Sequence, residues 1–446
     1  MHRGKDLWYV GSFEFVEGSH LSDLYRLLAM LTCLFAVQTA CAQDTEPPNV
    51  LSFDFDPKAV DTSASSQEIT FTARLTDDLS GVDLSTQARF CSPSGNQFVD
   101  VGFWPPGGLI SGDDLDGIYE SKMNLPRYSE QGIWQLEYFL LVDNVGNTKW
   151  LDKDDITDLG FPTTFLIESE GDTSSPNILS FDFEPKAVDA STSSKEISVT
   201  ARLTDDLSGV DLSTQARFRS PSGNQFVDVG FWPPGGLISG DDLDGIYESK
   251  MNLPRYSEQG IWQLEYFLLV DNVGNTKWLD KDDITDLGFP TTFLIESEGD
   301  TSSPNILSFD FEPKAVDAST SSKEITVTAR LTDDLSGVDL STQARFRSPS
   351  GNQFVDVGFW PPGGLISGDE LDGIYESKLT LPQHSEQGTW KIEYFLLVDK
   401  VRNTRWLNRD ELVSLGFPTT FLNDKDESST NSRVRIARWQ RPLRYA

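Results

Sequence analysis

The stretch GFWPPGGLISGDDLDGIY begins at Gly102 and returns unchanged at Gly230, 128 residues on. It comes back a third time at Gly358, with Glu370 for one aspartate. The whole repeat runs over 48–175, 176–303 and 304–422. Repeats of solenoids are 20–45 residues long, so a period of domain size predicts complete domains in series. Between Ala73 and Ser175 the first two copies differ at one position only, Cys91 against Arg219. The third copy has drifted and is the informative comparison. The predicted organisation is a leader over 1–42, domains over 43–175, 176–303 and 304–422, and a basic tail over 423–446.

Acids dominate. The formal net charge is −34, and the second repeat alone carries 22 Asp and Glu against 9 Lys and Arg. That balance disfavours nucleic acid and anionic membrane surfaces as partners along the repeats. It favours a cation, or simply keeps an extracellular chain soluble. Leu27–Thr39 is an apolar run too short to span a membrane, and the small residues of ACA follow at Ala40. The pair reads as a secretory signal cleaved before Gln43, with no membrane span expected after cleavage. Cys33 and Cys41 fall in this leader. Cys91 is alone in the remainder, so no disulfide can form within it.

Within a repeat the apolar residues have period two, the mark of half-buried strands. EITFTARLTDD puts Ile69, Phe71, Ala73 and Leu75 on one face. GIWQLEYFLLVD puts Trp134, Leu136, Tyr138, Leu140 and Val142 on one face. Seven strands follow, A, B, C, C′, E, F and G, separated by the turn signals SPSGN, PRYSEQG and VDNVGN. DKDDITDLG predicts a short helix before strand G, with Asp152 as N-cap, Asp155 at N3 and Gly160 just past its end. The fold class is all-β: three tandem antiparallel β-sandwiches.

DTSSP before strand A, TDDLSGV after B, DGIY opening E and VDNVGN after F resemble the tandem bacterial immunoglobulin-like and fibronectin-III-like surface domains. The resemblance spans nearly all of 48–422. It implies non-catalytic adhesion or spacer modules outside the cell, a cell-surface protein or glycan as partner, and in some members calcium.

Strand alternation brings the B–C, C′–E and F–G loops to one pole. The acids there are Asp77, Asp78, Asp114, Asp116 and Asp143. Their counterparts are Asp205, Asp206, Asp242, Asp244 and Asp271, then Asp333, Asp334, Asp372 and Asp399. The linker acids Glu168, Glu170 and Asp172 reach the acidic pole of the next domain. Calcium takes six to eight oxygens from such groups. The predicted reading is a rod stiffened by calcium at its joints. Against it stands a solvated acidic pole in which DDLDG is only a turn. In the third repeat Lys400 and Arg402 enter the last loop, which would weaken a site that used Asn144 or Asn272.

Trp104, Trp232 and Trp360, held in FWPPGG loops, offer an alternative as stacking surfaces for sugar rings, or else fold back onto the sandwich. Catalysis has little support. One histidine, His384, follows the leader, and no nucleotide-binding glycine motif occurs.

Overall fold

A computed structural model describes residues 43–104, 107–233 and 235–424. The predicted leader and most of the basic tail lie outside the described residues. In the first domain the strands are β1 (Asn49–Asp56), β2 (Ala59–Val60), β3 (Gln67–Thr76), β4 (Gln87–Cys91) and β5 (Phe98–Gly102). They continue with β6 (Gly108–Gly112), β7 (Asp116–Leu125), β8 (Gly132–Val142), β9 (Thr148–Asp152) and β10 (Thr164–Ile167). One sheet has the order β1-β3-β7-β6, and the other β2-β10-β8-β4-β5 with β9 paired to β8. All pairs are antiparallel except β2 with β10. The same two sheets recur in the second and third domains, so the chain is three tandem β-sandwiches, each with a short helix before its last strand.

Three strands per domain go beyond the seven expected. The segment after Trp104 forms β6, whose hairpin with β7 holds Asp113 and Asp114. VDNVGN is the turn of the β8–β9 hairpin rather than a plain F–G loop. The predicted face of β8 also slips. Trp134 and Leu136 are buried, but then burial passes to Phe139 and Leu141 while Tyr138 turns outward. A bulge opposite Arg89 and Phe90 inserts the extra residue. Because the strand period is two, one inserted residue exchanges the faces beyond it.

The core is aromatic. Phe53, Phe55, Phe71, Phe90, Phe139 and Phe165 are buried and in ring contact. Each such side chain contributes about 2 kcal/mol by leaving water. Trp134 stacks on Phe165, and its indole N–H donates to the Glu130 carbonyl at 2.9 Å. No disulfide is needed. Cys91 donates to Glu137, and burial pushes its thiol up to about 12. Arg219 and Arg347 stand in its place and pair with Glu265 and Glu393.

The helix α1 (Lys153–Asp158) is set as expected. The Asp152 carboxylate accepts from the backbone of Asp154 and Asp155, and Asp155 reaches back to the Asp152 N–H. Gly160 follows at φ 82°. In the third domain Asn408 and Glu411 make the same box.

The domains meet pole to pole. Gln97 is buried in the turn between β4 and β5 of the first domain. Its Nε2 donates to the Asp172 carbonyl at 2.6 Å and to Asn275 Oδ1 of the second domain at 3.0 Å. Gln225 donates likewise to the Asp300 carbonyl and, at 3.1 Å, to Asn403 Oδ1 of the third. Gln353 of the third domain donates to the Asp44 carbonyl at 2.6 Å and to Asn147 Oδ1 of the first at 3.1 Å. The far pole of the third domain thus docks on the acidic pole of the first. The open rod expected from the sequence is not what these contacts give. One joint geometry is repeated, and three steps of it return to the start.

Candidate metal centre at the domain joints

Three loops do converge on one pole. The Val82 N–H donates to the Asp114 carbonyl at 2.8 Å, Asp83 N–H to Val142 at 2.8 Å, and Asn144 N–H to Gly81 at 2.9 Å. Gly81 makes the approach possible. It sits at φ 90°, and a Cβ there would lie 2.7 Å from the Asp114 carboxyl carbon.

At the centre of this pole lies a carboxylate cluster. Asp44, Asp77 and Asp78 each bring an oxygen within 4.8 Å of the others. Asp172, Asp205 and Asp206 do so in the second domain, and Asp300, Asp333 and Asp399 in the third. That spacing suits opposed ligands of a cation held at about 2.3–2.6 Å. Asp77 is 9% exposed. Its Oδ2 accepts from Leu79 at 3.1 Å and Gly81 at 2.7 Å. Its Oδ1 is buried with no hydrogen-bond partner, and so are Asp205 Oδ1 and Asp333 Oδ1. Burying a carboxylate oxygen unpaired is costly, and the same cost recurs three times. Ser80 Oγ is likewise unpartnered beside the first cluster.

Asp143 is 2% exposed and accepts from Val145 N, Asn147 N and Asn147 Nδ2. It shapes the hairpin turn and holds Asn147 towards the joint. Burial raises its carboxyl to about 7, with the Asp44 charge adding to the rise. Burial likewise raises Asp399 to about 7 and Asp271 to about 6. Asp77, Asp205 and Asp333 are raised too, chiefly by burial.

Other expected ligands stand elsewhere. Asp116 forms a bidentate pair with Arg74 on the open face of its sheet, at 2.8 and 2.7 Å. Asp244 and Asp372 pair in the same way with Arg202 and Arg330. These three are committed to arginine. Asp114 and Asp242 lie at the pole but outside the clusters, packed against Gly81 and Gly209. Asn144 Nδ2 donates to the Ser80 carbonyl at 2.8 Å, so it fastens two loops together.

The residues that sequence reasoning left out of the site are Asp44, Asp172 and Asp300, buried to 1–2% exposure. Asp172 had been placed at the pole as a linker acid only. A signal was present, since an Asp-Thr pair stands four to five residues before the first strand of every repeat. Each of these residues does two jobs. The Asp172 N–H donates to the Tyr128 carbonyl of the preceding domain at 2.7 Å. Its carboxylate accepts from Ser208 of the following domain at 2.8 Å. Asp300 and Asp44 repeat this with Tyr256 and Ser336, and with His384 and Ser80. Tyr128, Tyr256 and His384 all lie at φ 68–69°, in the left-handed region rare for such residues.

The tryptophans split the two expectations. Trp104, Trp232 and Trp360 fold back over Gly102, Gly230 and Gly358, yet remain 42–45% exposed. Trp360 borders a groove of about 650 Å³ lined also by Asp356, Glu376 and Lys378. A second exposed aromatic set was missed. Trp150 packs against Tyr138 with the ring planes tilted by 60° and the centroids 4.6 Å apart, and Arg89 lies between Tyr138 and Phe98.

No family model matches this chain, and no curated protein does. Among solved structures it is similar to a DUF4785 family protein from Legionella pneumophila, at 9% identity and a TM-score of 0.17 over 82% of this chain and 90% of that one. It is also similar to a putative membrane-anchored protein from Corynebacterium diphtheriae, at 9% identity and 0.15 over 80% and 91%. The major pilin subunit of Bacillus cereus follows at 6% identity and 0.17 over 79% and 91%. At these scores none of them fixes the arrangement or the role of this chain. Among the described residues no helix is long and apolar enough to cross a membrane.

Proposed function

We propose that this is an extracellular, non-catalytic repeat protein, an adhesion or spacer module whose domain joints are clamped by calcium. The observation that carries the reading is the buried, unpartnered Oδ1 of Asp77, Asp205 and Asp333, each beside the carboxylate of Asp44, Asp172 or Asp300. A divalent cation satisfies that oxygen and removes the repulsion between like charges. Because Asp44, Asp172 and Asp300 also hydrogen-bond the neighbouring domain through their backbone, binding fixes the angle between neighbours. A ligand that binds only the folded state at a hundred times its Kd adds about 2.7 kcal/mol of stability. Calcium is therefore expected to raise the melting temperature of the full chain near neutral pH, and chelation to reverse the rise. An unchanged melting curve would remove the clamp from the account.

A second reading rests on the Trp360 groove and its counterpart at Trp232. There the chain binds glycans through its half-exposed tryptophans. It predicts glycan binding that survives chelation and is lost in Trp232→Ala.

A further inference from the structure

The three joints share their contacts but not their covalent support. Asp172 and Asp300 belong to the linkers that run on from the preceding domains. Asp44 precedes the first repeat and meets the third domain only through hydrogen bonds, N–H to the His384 carbonyl at 2.9 Å and carbonyl from Gln353 at 2.6 Å. The fit also differs. At the linked joints the chain passes through Gly171 and Gly299, where a Cβ would lie 2.0 Å from the Ser129 or Ser257 carbonyl. At the third joint the matching residue is Gln43, which carries a side chain and accepts from Gln387 N through its Oε1 at 2.6 Å. The third joint is thus the one without a peptide link and without the close glycine passage. Like the first joint, where Gly274 stands in that place, it has no counterpart of the contact of Arg402 over Phe226, 4.4 Å from the ring centroid, that braces the second joint.

Asp44 couples two events here. Its backbone is the surface on which the third domain docks, and its carboxylate belongs to the first cluster with Asp77 and Asp78. We propose that this joint is a self-docking interface closed by the cation. Calcium at the first cluster holds Asp44 in place, and the third domain then binds the ordered tract. Chelation releases Asp44, and the chain opens there while the two linked joints keep their domains together. By linkage, closure must strengthen cation binding at that cluster by the same factor. The inference rests on the calcium reading above but can fail separately from it.

The test places spin labels at Asp158, Asp286 and Ser414, exposed and equivalent positions in the three domains, in the full chain with native cysteines replaced. In calcium chloride the three pairwise distances should coincide, because one rotation relates successive domains. In chelator the distance between the first and third labels should lengthen while the other two hold. Asp44→Asn should leave that distance long in both conditions and remove one of three calcium sites in calorimetry. Asp172→Asn should also remove one site yet leave the calcium-bound distance between first and third labels short. Binding at three sites with a first-to-third distance indifferent to calcium would overturn the coupling but spare the clamp. No calcium binding at all would overturn both. A long first-to-third distance in calcium, whether the chain is monomeric or joined head to tail by light scattering, would overturn closure within one molecule.

Discussion

The acidic poles of the first two domains and that of the third share a backbone and differ in their rims. Lys400 N–H donates to the Gly337 carbonyl at 2.9 Å, as Asn144 and Asn272 do to Gly81 and Gly209. Yet where the two asparagines tie loops together through their amides, Lys400 pairs with Glu370, the residue standing in place of Asp114. Arg402 replaces a glycine and sits at φ 72°, a strained place for a side chain, over Phe226 of the second domain. Drift has changed three rim positions, Asp114, Asn144 and Gly146, while Asp300 and Asp333 keep the places of Asp44 and Asp77; Asp399 completes the third cluster where Asp78 and Asp206 complete the first two, and Asp333 Oδ1 is still unpartnered. The comparison separates the cluster from its surroundings. The cluster forms without the counterparts of Asp114 and Asn144, and in all three domains it contains the aspartate before the first strand and Asp77 or its counterpart.

The largest expected effect breaks the third domain's equivalence with the others. Asp333→Asn and Asp205→Asn should each weaken calcium at their own cluster by at least about 100-fold, the upper end of what losing a supporting group costs a metal site. Calorimetry on the two variants checks this, and a loss confined to Asp205→Asn would make the third pole a relic.

Next comes pH. A carboxyl whose folded value lies above its unfolded one stabilises the fold when protonated, and that contribution is lost as pH rises through the folded value. Asp143 and Asp399 at about 7 and Asp271 at about 6 place the loss between mildly acidic and neutral pH. The surface carboxylates held low by lysine or arginine, such as Asp54 and Asp182, act only at more acidic pH. Calcium-free protein should therefore melt about 5 °C lower at neutral pH than at about pH 5. Calcium should remove most of that difference. A melting temperature that rises over the same interval without calcium would show that these carboxyls do not carry the penalty.

Smaller effects refine the rim. Lys400→Asn removes one positive charge near the third cluster and should tighten calcium there by about threefold. Glu370→Asp should change stability by less than about 0.5 kcal/mol, since it restores only the residue of the first two rims. A large response to either would return the rim to the site.

Much of the fold was legible. Period-two burial gave the strands, and turn chemistry separated them. The bulge in β8 was not, because Gln135, Leu136 and Glu137 carry no mark of an extra residue, and it sent Tyr138 outward. Convergence of Asp77 and Asp143 on one pole follows from strand alternation alone. The commitment of Asp116 to Arg74 does not, because cross-strand pairing depends on register, and β3 to β7 register is set by the whole sheet. The closing joint was hidden for a different reason. Gln97, Asn147 and Tyr128 read as ordinary turn residues, and only the rotation between domains brings Gln353 to Asn147.

The central claim is that each joint holds one cation on a buried aspartate. Titrating calcium into the full chain by calorimetry near neutral pH, beside the triple variant Asp77→Asn, Asp205→Asn and Asp333→Asn, tests it most directly. The account predicts three sites in the parent and none in the variant. An absence of heat in the parent, or three sites that persist in the variant, would contradict it.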